Sequence, residues 1–457
     1  MLSAAQLAAI LVLVLLAALL AVLLRPTPRA PLVSYASPAG TGSACTEAAP
    51  CTLAAWLGSA LVVPGAVLIL EDGTYTGSQQ HLTVPSTFAG TAEAPITIRA
   101  RHEGRAILRQ DGGRPVHLQG RYGVLEGVNI VGGDNNTLRF HTSAEGWQVR
   151  RVVVEGTGAP DLIVNMEGRN NLLEDCAVYG VGRYVIGVAT SGEGNVVRRC
   201  WARWQDNQFT ASNPTDTVVT GYGQNGITLE NVLITMHASG RVTDPGGPGA
   251  LWGTQESAWL GVIVYAAASD IVAGGQLVGG TVDAGSHAQQ GRFNPTSQLR
   301  FKHVVAYIDP GNPRYAAVKA LAFSEGTDPG CPPGVDNQVR DSVGVGGLAP
   351  SFSSSWQATN LQLGTSLAAA IGAGKSLWTD SVAAPGVCRR YVGRTLTAQP
   401  LWPWPMNQRI LETVGVNVTG TVEALFGPIP AQCRTDAGPT PPAVQAPTGV
   451  KATLSTR

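Results

Sequence analysis

The segment between Gly123 and Ile234 repeats itself. Five eight-residue blocks begin at Gly123, Trp147, Asn171, Asn195 and Ile227. The first three steps, 147−123, 171−147 and 195−171, each give 24, and the fourth, 227−195, gives 32. One short apolar block per fixed period in the low twenties is the pattern of a solenoid. Each repeat then buries its apolar side only by stacking on its neighbours.

Aligned, the blocks give columns. The third reads Leu125, Val149, Leu173, Val197 and Leu229; the sixth reads Val128, Val152, Cys176, Cys200 and Val232; the eighth is also apolar. The fourth column is Glu126, Arg150, Glu174, Arg198 and Glu230, alternating in sign at every step. Strands stacked about 4.8 Å apart would turn that column into a ladder of acid against base. Opposite charges are mildly favourable when directly opposed, and like charges are not. The alternation therefore predicts parallel, in-register stacking, with the charged column facing solvent and the third, sixth and eighth columns inward. The fifth position (Gly127, Arg151, Asp175, Arg199, Asn231) suits a bend. The expected fold is all-β: a single right-handed parallel β-helix with rungs of about 24 residues.

The N-terminal rungs carry a resemblance. Ser34–Gly40, Pro64–Tyr75 and Thr91–Arg99 look like the opening strand, first rung and second rung of the pectin-lyase-like superfamily of β-helix proteins. The likeness covers about residues 33 to 364. It implies the fold and leaves the activity open, because this fold hosts lyases, hydrolases, tailspikes and adhesins.

Domain organisation follows: 1–30 a hydrophobic signal or anchor with a spacer, 31–364 the β-helix, 365–436 a capping extension, 437–457 a Pro-rich tail. Residues 7–24 are an unbroken apolar run about long enough to span a bilayer. No basic residue precedes the run, and Leu23-Leu24-Arg25-Pro26 is a poor cleavage site, so an uncleaved anchor is expected. Arg25 and Arg29 favour a cytoplasmic C-terminal side by the positive-inside rule. The cysteines and the fold argue for export, which is the reading adopted.

Cys45 with Cys51, and Cys388 with Cys433, are expected disulfides of an oxidising compartment. Cys176 and Cys200 share the sixth column and are expected as a buried thiol stack in preference to the alternative, a bridge, since free Cys packs well in cores. Cys331 is left over. Leu53, Trp56, Leu57 and Ala60 recur at helical spacing, predicting a helix over the first rung. Short strands are expected near 67–70, 96–99, 105–108 and 116–118. Further copies of the block are read at Gly275–Val282, Leu299–Ala306 and Asn337–Gly344, because 299−275 is 24 and 299−227 is 72. A last strand is expected near Ala358–Leu363. Beyond it, Leu401-Trp-Pro-Trp-Pro405 cannot continue a sheet ladder. Helices near 407–414 and 421–426 complete a cap expected over the open last rung.

The formal net charge is zero and no basic run occurs, which argues against nucleic acid as a partner. Gly221–Gly226 matches GxGxxG outside the strand-to-helix setting that motif needs and reads as a turn; Gly374-Lys-Ser376 lacks the first P-loop glycine. No zinc-ligand spacing occurs, and no cofactor is evident, although calcium would suit a lyase. The signature tripeptides of well-known catalytic families on this fold (Gly-His-Gly, Asn-Thr-Asp, Arg-Ile-Lys) are missing. The irregular stretch 203–256 is the candidate site. Trp201, Trp204, Tyr222 and Trp252 are candidate platforms for sugar rings, and Asp206, His237, Arg241, Asp244 and Glu256 are candidate catalytic groups. The expectation is an exported, membrane-anchored β-helix protein that binds polysaccharide or serves as a surface module; the alternative is a polysaccharide lyase or glycoside hydrolase. Its partners would be a cell-surface glycan and, through residues 7–24, a membrane.

Overall fold

The computed structural model describes residues 31–157, 162–182, 184–188, 192–204, 217–221, 227–236, 251–252, 258–266, 276–279, 299–312, 315, 319–322, 336–347, 356–372, 374–378 and 387–434. Residues Val33–Thr440 form one compact unit. Its strands make two long parallel sheets, with a separate hairpin near the C-terminus.

The columns stack as their chemistry dictates. Leu125 pairs in register with Val149, then Leu173, Val197, Leu229, Trp259, Phe301, Val339 and Ala358. A left-handed residue sits at the fifth position of each rung: Gly127, Arg151, Asp175, Arg199, Asn231, Gly261, His303, Asp341 and Asn360, with φ between 48° and 75°. Strand side chains alternate faces, and a single residue at positive φ resets that alternation. Positions three, six and eight therefore point inward, while four and seven point outward. Asp, Asn and Gly enter this conformation at low cost. Asn171 and Asn195 add an inner ladder, in which each Oδ1 accepts the backbone N–H one rung earlier, at 3.0 and 2.9 Å.

The N-terminal helix, α1 (Leu53–Leu57), is capped by Thr52, whose hydroxyl accepts from the Ala55 N–H at 3.1 Å. Leu53 and Trp56 are fully buried beneath it, closing the first rung. The strands expected over the early rungs form at Val67–Leu70, Ile96–Ala100, Ala106–Gln110 and Val116–Leu118.

Three expectations are corrected. The block at Gly275–Val282 is not a copy of the repeat: its strand, Gln276–Gly279, lies in the second sheet between Trp252 and Lys319–Ala322. The intervening rung of the first sheet is Ala258–Ala266, so the steps from Leu229 are 30 residues to Trp259 and 42 to Phe301. Together these imitate three periods of 24. Second, Cys176 and Cys200 are bonded as a disulfide inside the coil, alongside Cys45–Cys51 and Cys388–Cys433. Parallel register places their Cα atoms 4.5 Å apart, close enough for the bridge.

Third, the C-terminal extension is not confined to the last rung: Leu367–Ile371 packs against the last strand, Trp356–Gly364, but residues 387–434 run back along the outside of the first sheet. The reason is the seventh column: Val153, Ala177, Trp201, Leu233, Ile263, Val305 and Val343 face outward, yet all are apolar. They form one cluster with Trp402, Trp404, Ile410, Val418, Val422 and Phe426 of the extension. Two helices expected there form at Asn407–Val414 (α3) and Val418–Phe426 (α4), after a short α2 at Leu367–Ile371. Arg409 of α3 clasps the early rungs, donating to Glu103 (3.2 Å), the Val128 carbonyl (2.7 Å) and the Arg151 carbonyl (2.5 Å).

The same arm alters the charge ladder. Arg150 pairs with Glu126 at 3.3 Å, and Arg198 with Glu174 at 2.8 Å and Glu230 at 3.4 Å. The ladder is not a solvent face throughout, because Glu230 is wholly buried where the Gly393 and Arg394 N–H groups donate to it. Arg199 is buried too, bound to Asp175 at 2.6 and 2.9 Å and to Glu174 at 2.6 Å.

Candidate active site

The residues singled out between 201 and 256 do not assemble into a described site. Trp201 is fully buried under the arm, with its indole N–H donating to Thr235 Oγ1 at 3.0 Å. It presents no face to a sugar. Trp204 ends the Val196–Trp204 strand opposite Gly180, and Trp252 lies in the second sheet opposite Thr220. Tyr222, Asp206, His237, Arg241, Asp244 and Glu256 lie outside the described residues, as do the 7–24 run and Cys331. Among the described residues no helix is long and apolar enough to cross a membrane.

The second sheet carries a polar outer column that the sequence reading missed. Its register runs Thr83, His117, Arg139, Asn165, Gly187, Thr220 and Trp252. The strands Val116–Leu118, Asn136–Phe140 and Leu162–Met166 each hold an apolar-polar-apolar triplet: Val116-His117-Leu118, Leu138-Arg139-Phe140, Val164-Asn165-Met166. The flanking residues are buried in the coil, and strand alternation puts the middle ones on the opposite face, where His117 and Arg139 are partly exposed and Asn165 is buried among its neighbours. That triplet was the available signal. It does not keep the 24-residue period, since 138−116 is 22 and 164−138 is 26.

Five side chains converge at the N-terminal end of this face. The His117 and His141 rings meet edge-to-face with centroids 5.3 Å apart. His141 Nδ1 accepts from the Ser143 N–H at 3.2 Å, which places the hydrogen of the neutral ring on Nε2. Arg139, one rung from His117, donates from Nε (2.9 Å) and Nη2 (2.5 Å) to Glu167 Oε2. Asn165 Nδ2 donates to the other Glu167 oxygen at 3.0 Å. Beside them is a shallow cavity of about 300 Å³, lined by His81, Gln110, Arg114, His117 and Asp134 among others.

Burial, then Arg139, His141 and Arg114, push the His117 pKa down to about 4. Its imidazole is therefore neutral at neutral pH, since the cationic groups around it disfavour a further positive charge. Burial and Arg139 also lower the pKa of Arg114. A base kept unprotonated next to guanidinium groups is the pairing needed to remove a proton from carbon beside a carboxylate: the base takes the proton and the cation stabilises the developing charge. Among the described residues no three His, Cys, Asp or Glu side chains converge as a metal site.

Two parallel sheets folded into one coil, with a left-handed corner in each rung of the first, define the architecture. The coil is a parallel β-helix. Solved structures similar to it include an alginate lyase from a Paenibacillus species, at 15% identity and TM-score 0.43, covering 72% of this chain and 97% of that one. A pectate lyase is similar at 14% identity and TM-score 0.48, covering 77% and 86%; a rhamnogalacturonan lyase at 13% and 0.45, covering 72% and 87%. No protein-family description matches the chain. No curated protein matches it either. Likeness at this level concerns the fold and leaves the reaction to the site.

Proposed function

We propose that this is an extracytoplasmic, polysaccharide-acting protein that cleaves an acidic polysaccharide by elimination on the outer face of the second sheet. One observation carries the reading: His117, held neutral, stands one rung from Arg139 beside an open cavity. In this scheme His117 removes the proton α to a uronate carboxylate. Arg114 and Arg139 stabilise the resulting charge, and Glu167 with Asn165 fixes Arg139 in place. The electron pair of that C–H bond then forms a double bond to the neighbouring carbon as that carbon's C–O bond breaks; the departing oxygen takes a proton from water, and an unsaturated sugar end remains. The three disulfides fit an oxidising compartment, and residues 7–24 would tether the protein there.

The test offers the full-length protein uronate-containing and neutral polysaccharides, with and without calcium, while unsaturated and reducing ends are followed together. Unsaturated ends, reduced on the order of 10²–10⁴-fold by His117→Ala, are the expected result. Reducing ends alone would replace elimination with hydrolysis. Retention of glycan without cleavage, unchanged by His117→Ala, would leave a binding module.

A further inference from the structure

The cavity beside His117 sits where the first sheet turns into the second, and two consecutive turns help to build its wall. Gln110 ends the strand Ala106–Gln110, and Gly113 and Arg114 follow it through the turn. Asp134 stands in the equivalent turn one rung on, since Gln110 pairs with Gly132. The turns are joined: the Gly113 N–H donates to Asp134 Oδ1 at 2.5 Å, and the Asp134 N–H to the Gly113 carbonyl at 3.3 Å. Gly113 has a φ of 89°, and a Cβ there would stand 2.5 Å from Gln110 Nε2. The glycine therefore lets the amide nitrogen of Gln110 lie against the turn, which leaves the amide oxygen on the side away from it.

Three of the lining side chains hold a buried polar atom that has no hydrogen-bond partner among the described residues: Gln110 Oε1, Arg114 Nε and His117 Nε2. Buried polar groups are nearly always paired, so three around one cavity point to a partner that arrives from outside. Their chemistry limits what that partner carries. Gln110 Oε1 and the Asp134 carboxylate only accept, so they call for hydroxyl hydrogens. Arg114 Nε only donates, so it calls for the oxygen of an anion. The cavity, at about 300 Å³, is at the small end of ligand pockets and suits one sugar ring rather than a stretch of polymer. A neutral sugar would leave Arg114 without an anion, and a phosphate would set acceptors against Gln110 and Asp134. A uronate with free hydroxyls meets both demands.

We infer that this cavity selects a uronate residue whose ring hydroxyls are unsubstituted, Gln110 and Asp134 accepting from the hydroxyls while Arg114 holds the carboxylate. The inference rests on the proposed acidic-polysaccharide reading of this face and adds which uronates it takes. An O-acetyl group would set acceptor against acceptor at Gln110, and an O-sulfo group would also set like charge against Asp134.

The experiment measures binding by calorimetry to the full-length protein carrying His117→Gln, and cleavage by the parent. The probes are hexamers of galacturonate, mannuronate, guluronate and glucuronate, each plain and O-acetylated. Gln110→Leu and Gln110→Glu are added in turn. At least one plain hexamer should bind about tenfold or more tighter than its acetylated form. Gln110→Leu should weaken the plain hexamer about tenfold and leave the acetylated one unchanged. Gln110→Glu, which keeps an acceptor, should retain the preference. Equal binding of the two forms, no binding of any hexamer, or a Gln110→Leu loss shared by both forms would overturn the inference. A parent that does not cleave the plain hexamers, while the preference and its loss in Gln110→Leu are seen, would remove the elimination scheme and leave the selection standing.

Discussion

Protonating His117 should weaken the fold over a defined pH window, and the size of the effect follows from its surroundings. Its pKa is 6.5 as an unperturbed side chain and about 4 in the folded protein, chiefly through burial. Between those values the unfolded chain binds a proton that the folded one refuses. Stability is therefore complete above about pH 6.5, falls as the pH drops towards 4, and levels off below it. At about 1.36 kcal/mol per pKa unit the fall corresponds to roughly 3.4 kcal/mol, but the ring is only half-buried. Solvent screening reduces the expected figure to about 1–2 kcal/mol. The chain holds seven histidines, few enough for each ring to be followed by NMR with selective labelling, assigning His117 by its loss in His117→Gln. Thermal unfolding of parent and variant across pH 4–7 gives the stability difference. The variant should be flatter over that window by the same 1–2 kcal/mol. A His117 resonance titrating near 6.5 would refute the reasoning, because the ring would then be solvated and not held down by burial and its cationic neighbours. If the catalytic proposal holds, kcat/KM should stay level through neutral pH and drop about tenfold per unit below about 4.

Arg199→Ala leaves Asp175 and Glu174 without their shared guanidinium in a buried corner, and should cost about 3–5 kcal/mol, read by chemical unfolding. Trp201→Ala empties part of the seam beneath the arm and should cost about 3–5 kcal/mol, seen as faster exchange in residues 401–426, without changing any glycan retention. Arg409→Ala should free α3 from the early rungs, detected as protease cleavage within 407–426 at concentrations that leave the parent intact. Alkylation of the unreduced, denatured protein should label one cysteine, Cys331, since six of seven are bridged; label on Cys176 or Cys200 would restore the thiol stack.

The first sheet was legible because its rungs between 123 and 202 keep one length, so inward residues fall into columns without a structure. Even the left-handed corner could be read, from Gly127, Asp175 and Asn231. The second sheet escaped because loops of unequal length separate its strands from that frame. His117, Arg139 and Asn165 share a column only after folding. The seventh column was on the page all the same. Val153, Ala177, Trp201 and Leu233 are apolar at a position the alternation sends outward, and an outward apolar stripe needs a cover. From sequence Trp201 reads equally well as a sugar platform, since an aromatic near irregular loops has the same composition as one under a packed arm.

The arm also bears on where a substrate can bind. Its contacts with the coil (Glu103, Val128, Arg151, Thr228, Glu230, Asn231, His303 and the seventh column) all fall on the first sheet or the turns beside it. That face spends its outward positions on apolar packing and internal ion pairs. The second sheet, among the described residues, meets no part of the arm and keeps polar side chains outward in a line. A linear polymer can lie along such a line, meeting successive rungs about 4.8 Å apart. Backbone register runs in step from His117 to Trp252, with Arg139, Asn165, Gly187 and Thr220 at the positions between. If that track binds the polymer, shortening an oligosaccharide below the span from His117 to Trp252 should raise KM in the parent and leave Trp252→Ala unaffected by the same shortening. Equal sensitivity in both would remove Trp252 from the track.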